Sequence, residues 1–140
     1  MKRFIAAAVL CAMASFVQAQ SIETFECRLN TASSRGFIGE ALFFSIDVSQ
    51  KRAAVFDGLI RFKHEAPIAA KLTVRRDDLY QLQWVVRDLG TNQQGRVDAR
   101  FNMRFDPTDR GVQLNVNIGR SGGSPRASGR CQPVTGRSLL

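Results

Sequence analysis

The chain predicts an all-β protein: an antiparallel meander of seven or eight strands, closed as a small β-barrel. Three observations carry this expectation. Apolar and polar residues alternate with period two through most of the mature chain, residues 20–131, as strands with one buried face require. Turn-forming clusters such as Ser49-Gln50-Lys51-Arg52 and Asp106-Pro107-Thr108-Asp109 interrupt the alternation at short intervals. Cys27 and Cys131 stand at the two ends of the patterned region. No window offers an amphipathic helix of three turns.

The elements follow in chain order. Residues 1–19 read as an export signal: Lys2 and Arg3 are the positive start, Phe4 to Val17 is apolar, and Val17-Gln18-Ala19 offers a small-residue cleavage site. A second match, Ala12-Met13-Ala14, leaves a shorter apolar region and ranks below it. Leu10 stands where a lipidation signal at Cys11 would need a small residue. The apolar run falls short of the roughly twenty residues that span a bilayer, and no later segment is a candidate transmembrane segment. The expected location is therefore the Gram-negative periplasm or the exterior, with residues 20–131 as one domain and 132–140 as a flexible tail.

The first strand carries Phe25, Cys27 and Leu29 on one face, and the second carries Leu42, Phe44, Ile46 and Val48. The third is read with Ala54, Phe56, Gly58, Ile60 and Phe62 inward. After a loop at Pro67 come a short strand with Leu72 and Val74, a turn over Arg75 to Asp78, and a strand with Tyr80, Leu82, Trp84 and Val86. A polar loop is read from Leu89 to Gly95. The clearest alternation follows, with Val97, Ala99, Phe101, Met103 and Phe105 set against Arg96, Asp98, Arg100, Asn102 and Arg104. Val112, Leu114, Val116 and Ile118 then alternate with Gln113, Asn115 and Asn117, and a last strand holds Ala127, Gly129 and Cys131.

With the signal removed, Cys27 and Cys131 allow one intramolecular pairing, and export favours its oxidation. The bond would close a loop of roughly 100 residues, worth roughly 4 to 5 kcal/mol in the chain-entropy model. It would also set the first strand beside the last, because bonded cysteines need Cα atoms within about 7 Å. A meander whose ends meet is a barrel of lipocalin-like plan, without exposed sheet edges. A two-sheet β-sandwich stapled at one edge is the alternative. The inward aromatic residues suit a filled interior, while a barrel of this size also has room for one small ligand.

Composition and motifs narrow the chemistry. Of 140 residues, 44% are hydrophobic and only 3 are Cys, which excludes disordered, collagenous and cysteine-dense classes. Gly119-Arg120-Ser121-Gly122-Gly123 matches the G-x-S-x-G nucleophile pattern, but no Asp, Glu or His follows Ser121 to complete a triad. His64 is the sole histidine, so a zinc site or a histidine acid/base pair has little to build on. The pairs Asp77/Asp78 and Asp106/Asp109 fall in turns, where Asp is favoured locally. Asp57-Gly58 within a strand marks a bulge or a functional acid; Glu26, Glu40 and Asp47 have no assigned role. The expectation is a non-catalytic protein with neither metal nor cofactor.

Charge is the remaining signal. The formal net charge is +8, of which Lys2 and Arg3 leave with the signal. Towards the C-terminus Arg96, Arg100, Arg104, Arg110, Arg120, Arg126, Arg130 and Arg137 stand against only Asp98, Asp106 and Asp109. Arg96, Arg100 and Arg104 share the outward face of one strand, and Arg126 and Arg130 that of another. Guanidinium forks suit phosphate and carboxylate, so these residues are candidates to bind an anionic lipid headgroup, an acidic glycan or an acidic protein. The alternatives are a solvated face that aids solubility and a barrel that carries a small apolar molecule. Nucleic acid is disfavoured, because no aromatic residues interleave with the outward arginines. The sequence does not specify the oligomeric state.

Phe25-x-Cys27, the Trp84 strand and Gly129-x-Cys131 resemble small exported β-rich proteins of alphaproteobacteria whose function is not established. In plan the chain is also similar to periplasmic lysozyme inhibitors. Their inhibitory loop motif is absent, and a net positive charge opposes clamping a basic lysozyme, so that likeness carries no site residues.

Overall fold

The computed structural model describes residues 21–31, 36–92, 95–119 and 123–140. Eight antiparallel strands close into one barrel in simple chain order. They are β1 (Glu23–Asn30), β2 (Ala41–Asp47), β3 (Arg52–Asp57), β4 (Ile68–Val74), β5 (Tyr80–Thr91), β6 (Gly95–Phe105), β7 (Gly111–Ile118) and β8 (Arg126–Pro133). The expected barrel is thus observed and the sandwich is not. The signal segment with Cys11, and Arg120, Ser121 and Gly122 of the G-x-S-x-G match, lie outside the described residues.

Closure runs through the disulfide. Cys27 and Cys131 are bonded and stand directly opposite each other in the β1–β8 ladder, 104 positions apart in sequence. Gly129, two residues earlier, faces Leu29 across the same ladder. A Cβ at this glycine would overlap the Arg28 carbonyl and come within 3.0 Å of the Leu29 Cα. Only glycine lets β1 and β8 approach this closely beside the staple.

The alternation read from the sequence becomes the inside and outside of the barrel. Phe25, Phe44 and Phe105 meet in the interior, with ring centroids 4.8 to 5.1 Å apart. Trp84 stacks on Phe101 at 5.0 Å. Leu42, Ile46, Leu82, Met103 and Leu114 are buried around them. On β5 to β8 the outward residues are mainly polar, the reverse of a transmembrane barrel, whose outer band is apolar. Among the described residues no helix is long and apolar enough to cross a membrane.

Three local expectations are corrected. The third strand ends at Asp57, with Ala53, Val55 and Asp57 on its inner face, one residue out of step with the expected set. Val55 faces the buried Phe44, whereas Phe56 faces Phe43. Gly58–His64 then forms the short helix α1, because the Asp57 side chain accepts a hydrogen bond from the Ile60 N–H at 2.8 Å and caps the first turn. Ile60 is fully buried, while Phe62, expected inside, is 84% exposed.

The second correction concerns β5, which runs on to Thr91 through a register shift between Val86 and Leu89. Asp88 adopts a positive φ of 60° there, and its N–H donates to the Asp98 carboxylate at 3.0 Å. Leu89, expected in a loop, is consequently buried.

The third concerns the C-terminus. β8 extends to Pro133, and the residues beyond it lie along β1 and β2 instead of trailing away. The Val134 N–H donates to the Thr24 carbonyl, and the Leu139 N–H donates to the Ser45 hydroxyl at 2.9 Å. Thr24 and Ser45 point outward, yet both are buried.

Candidate functional site

Register places the outward side chains of β5 to β8 in a grid. Arg100 faces Asn117, Asn102 faces Asn115, and Arg104 faces Gln113 across the β6–β7 ladder. On the other side of β7, Asn115 faces Arg126 and Gln113 faces Ser128. β7 therefore presents a row of amides between two strands that carry arginine. Strand spacing sets the flanking rows about 10 Å apart, and Arg100 lies about 13 Å from Arg104 along β6. Guanidiniums stand on longer stems than the amides, so the row on β7 is the floor of a shallow trough.

Two depressions mark this trough. One, of 580 Å³, is bordered by Arg100 and Arg126 with Asn102, Asn115 and Asn117 between them. The next, of 570 Å³, shares Arg126 and Asn115 and adds Arg104 and Gln113. Among the described residues no carboxylate borders either one. Among the described residues, Arg100, Arg104 and Arg126 make no ion pair. Exposed cations without an internal counter-charge remain available to an external anion.

The sequence candidates thus divide. Arg100, Arg104 and Arg126 come together around the amide row. Arg96 does not, because its guanidinium is 2.9 Å from Asp88, which also pairs with Lys63 of α1 at 3.6 Å. Those contacts fasten the helix to the β5 bulge. Arg130 lies at the far end of the trough, where it donates to the Asp109 carbonyl at 3.2 Å; it shares a third depression of 460 Å³ with Asp106, Asp109 and Arg104, so Arg104 borders both the amide row and this acidic end. The amides Asn115, Asn117 and Gln113 are the part the sequence reading did not single out. Their outward parity was visible, but a polar residue on an outer face carries no signal of its own until its neighbours are known.

The acids have structural surroundings. Asp57 is buried at the helix cap; burial raises its carboxyl above the ordinary 3.8, against the opposing hydrogen bonds from Ile60 and Leu59. Asp47 is held below 3.8, first by the Ser49 hydroxyl, then against burial by the Gln50 N–H, with Arg52 and the Ser49 N–H adding to it. Glu26 pairs with Arg28 at 3.4 Å. Among the described residues no group of three or more His, Cys, Asp or Glu is arranged to hold a metal ion. Inside the barrel, the Trp84 indole N–H is buried and finds no acceptor among the described residues.

Together these features define a disulfide-closed, eight-stranded barrel with an arginine-flanked amide face. No protein-family model, curated protein or solved structure matches the chain significantly.

Proposed function

We propose that the protein is an exported, non-catalytic binding domain, located in the periplasm or secreted, that engages an anionic partner through the outer face of β6 to β8. The observation that supports this most is the convergence of Arg100, Arg104 and Arg126 around an uncharged amide row, in two depressions that no carboxylate lines among the described residues. A solvated face chosen for solubility alone would interleave both signs of charge. The disulfide is compatible with an oxidising compartment.

The test is retention on a polyphosphate matrix at low and moderate salt. Replacing Arg100, Arg104 and Arg126 together by Gln should abolish salt-sensitive retention. Replacing Arg61, Arg75 and Arg76 removes the same charge elsewhere and should leave most of it. Equal losses in the two triple variants would reduce the face to general charge.

A second reading, carriage of a small molecule inside the barrel, draws support from the Trp84 N–H, which a ligand oxygen could satisfy. The Phe25, Phe44 and Phe105 cluster already occupies part of that interior. Native mass spectrometry before and after denaturation decides it, since a carrier releases a discrete small mass.

A further inference from the structure

We infer that the anionic partner is an acidic polysaccharide chain seated along β7; this rests on the anion-binding reading above and gives it a chemical class.

The floor of the trough both donates and accepts hydrogen bonds. Gln113, Asn115 and Asn117 are all exposed on β7. Each amide offers both donors and an acceptor, as a sugar hydroxyl does. Carboxylates and phosphates only accept, so a purely anionic ligand would leave the amide oxygens unused.

The cations are also too widely spaced for one small anion. Arg100 and Arg104 are about 13 Å apart on one side, and Arg126 lies about 10 Å across the trough from the β6 row. A single phosphate contacts one such guanidinium well and the others poorly. A polymer with carboxylates at intervals, and hydroxyls between them, meets cations and amides in turn.

The face suits a bilayer or an extended peptide less well. Among the described residues, Val85 is the one exposed large apolar residue that borders the trough, at 36% exposure, so little is available to insert into a bilayer. β7 is paired on both sides, by β6 and β8, so an acidic peptide finds no free strand edge to extend. Side chains alone would have to recognise it.

The test uses the oxidised protein with four probes: oligogalacturonate, its fully methyl-esterified form, poly-glutamate of equal charge, and phosphatidylglycerol vesicles. Oligogalacturonate should bind about tenfold or more tightly than poly-glutamate, and esterification should remove most of that binding. Joint replacement Asn115→Ala and Asn117→Ala should weaken oligogalacturonate by about tenfold and leave poly-glutamate unchanged. Equal affinity for the two polyanions, with the Asn variant silent on both, would overturn the polysaccharide assignment and leave anion binding standing. Preferential binding to vesicles would overturn it in favour of a lipid surface. Failure of every anion to bind would overturn both this assignment and the reading on which it rests.

Discussion

Thr24 and Ser45 stand directly opposite each other on β1 and β2 and share a hydrogen bond of 2.7 Å on the outside of the barrel, where both are nonetheless buried. The C-terminal segment explains this. The Leu139 N–H donates to Ser45, and the Thr24 hydroxyl donates to the Arg137 carbonyl at 2.7 Å. The two side chains therefore bridge an N–H and a carbonyl of the same terminal segment. Deleting residues 134–140 should lower stability by about 1 to 3 kcal/mol, as the segment's hydrogen bonds to Thr24 and Ser45 and its cover over β1 and β2 are lost. Urea unfolding of the truncated chain checks this, and an unchanged midpoint would mean that the segment contributes nothing.

Removing the staple acts at the opposite edge of β1. A Cys27→Ala, Cys131→Ala double variant should lose up to about 4 to 5 kcal/mol, because the unfolded chain regains the freedom of a loop of roughly 100 residues. Equilibrium unfolding with and without reductant measures it. Wild type should show the loss on reduction, and the double variant should be insensitive to it.

Gly129→Ala should destabilise by about 1 to 3 kcal/mol or more, since the added methyl meets rigid backbone at Arg28 and Leu29. Thermal unfolding detects a change of this size. A neutral result would mean that β1 and β8 separate at little cost.

Asp57 and Asp47 should give opposite pH dependences. The Asp57 carboxyl is raised above 3.8 by burial, so the folded state holds the proton longer and stability falls as pH rises from 3.8 through the folded value. Asp57→Asn keeps a capping side chain and should remove that slope. Asp47 is lowered, chiefly by Ser49, so its contribution is present above 3.8 and is lost as pH falls through the folded value. Asp47→Asn should flatten the acid limb. Urea midpoints across about pH 3 to about pH 7 separate the two.

The barrel was legible because β1, β6, β7, β8 and the first half of β5 alternate with period two, with one cysteine in each closing strand. β3 was not, because Ala53-Ala54-Val55-Phe56 is apolar on both parities and period two cannot choose between them. The same ambiguity hid α1: Ile60 continues a strand pattern as well as it follows a cap at Asp57. The bulge at Asp88 was invisible for another reason, since a register shift is a relation between two strands. Arg100, Arg104 and Arg126 could be named from parity and charge. What separates them from Arg96 is Asp88, whose place beside Lys63 depends on a helix that the alternation concealed.

The most direct measurement is amide chemical-shift mapping of the isotope-labelled protein titrated with oligogalacturonate. The account predicts shifts concentrated on β6 to β8 around Arg100, Asn115, Asn117 and Arg126, fading as salt rises, with Arg96 and α1 unaffected. Shifts centred on α1, or on the interior around Trp84 and Phe101, would contradict it.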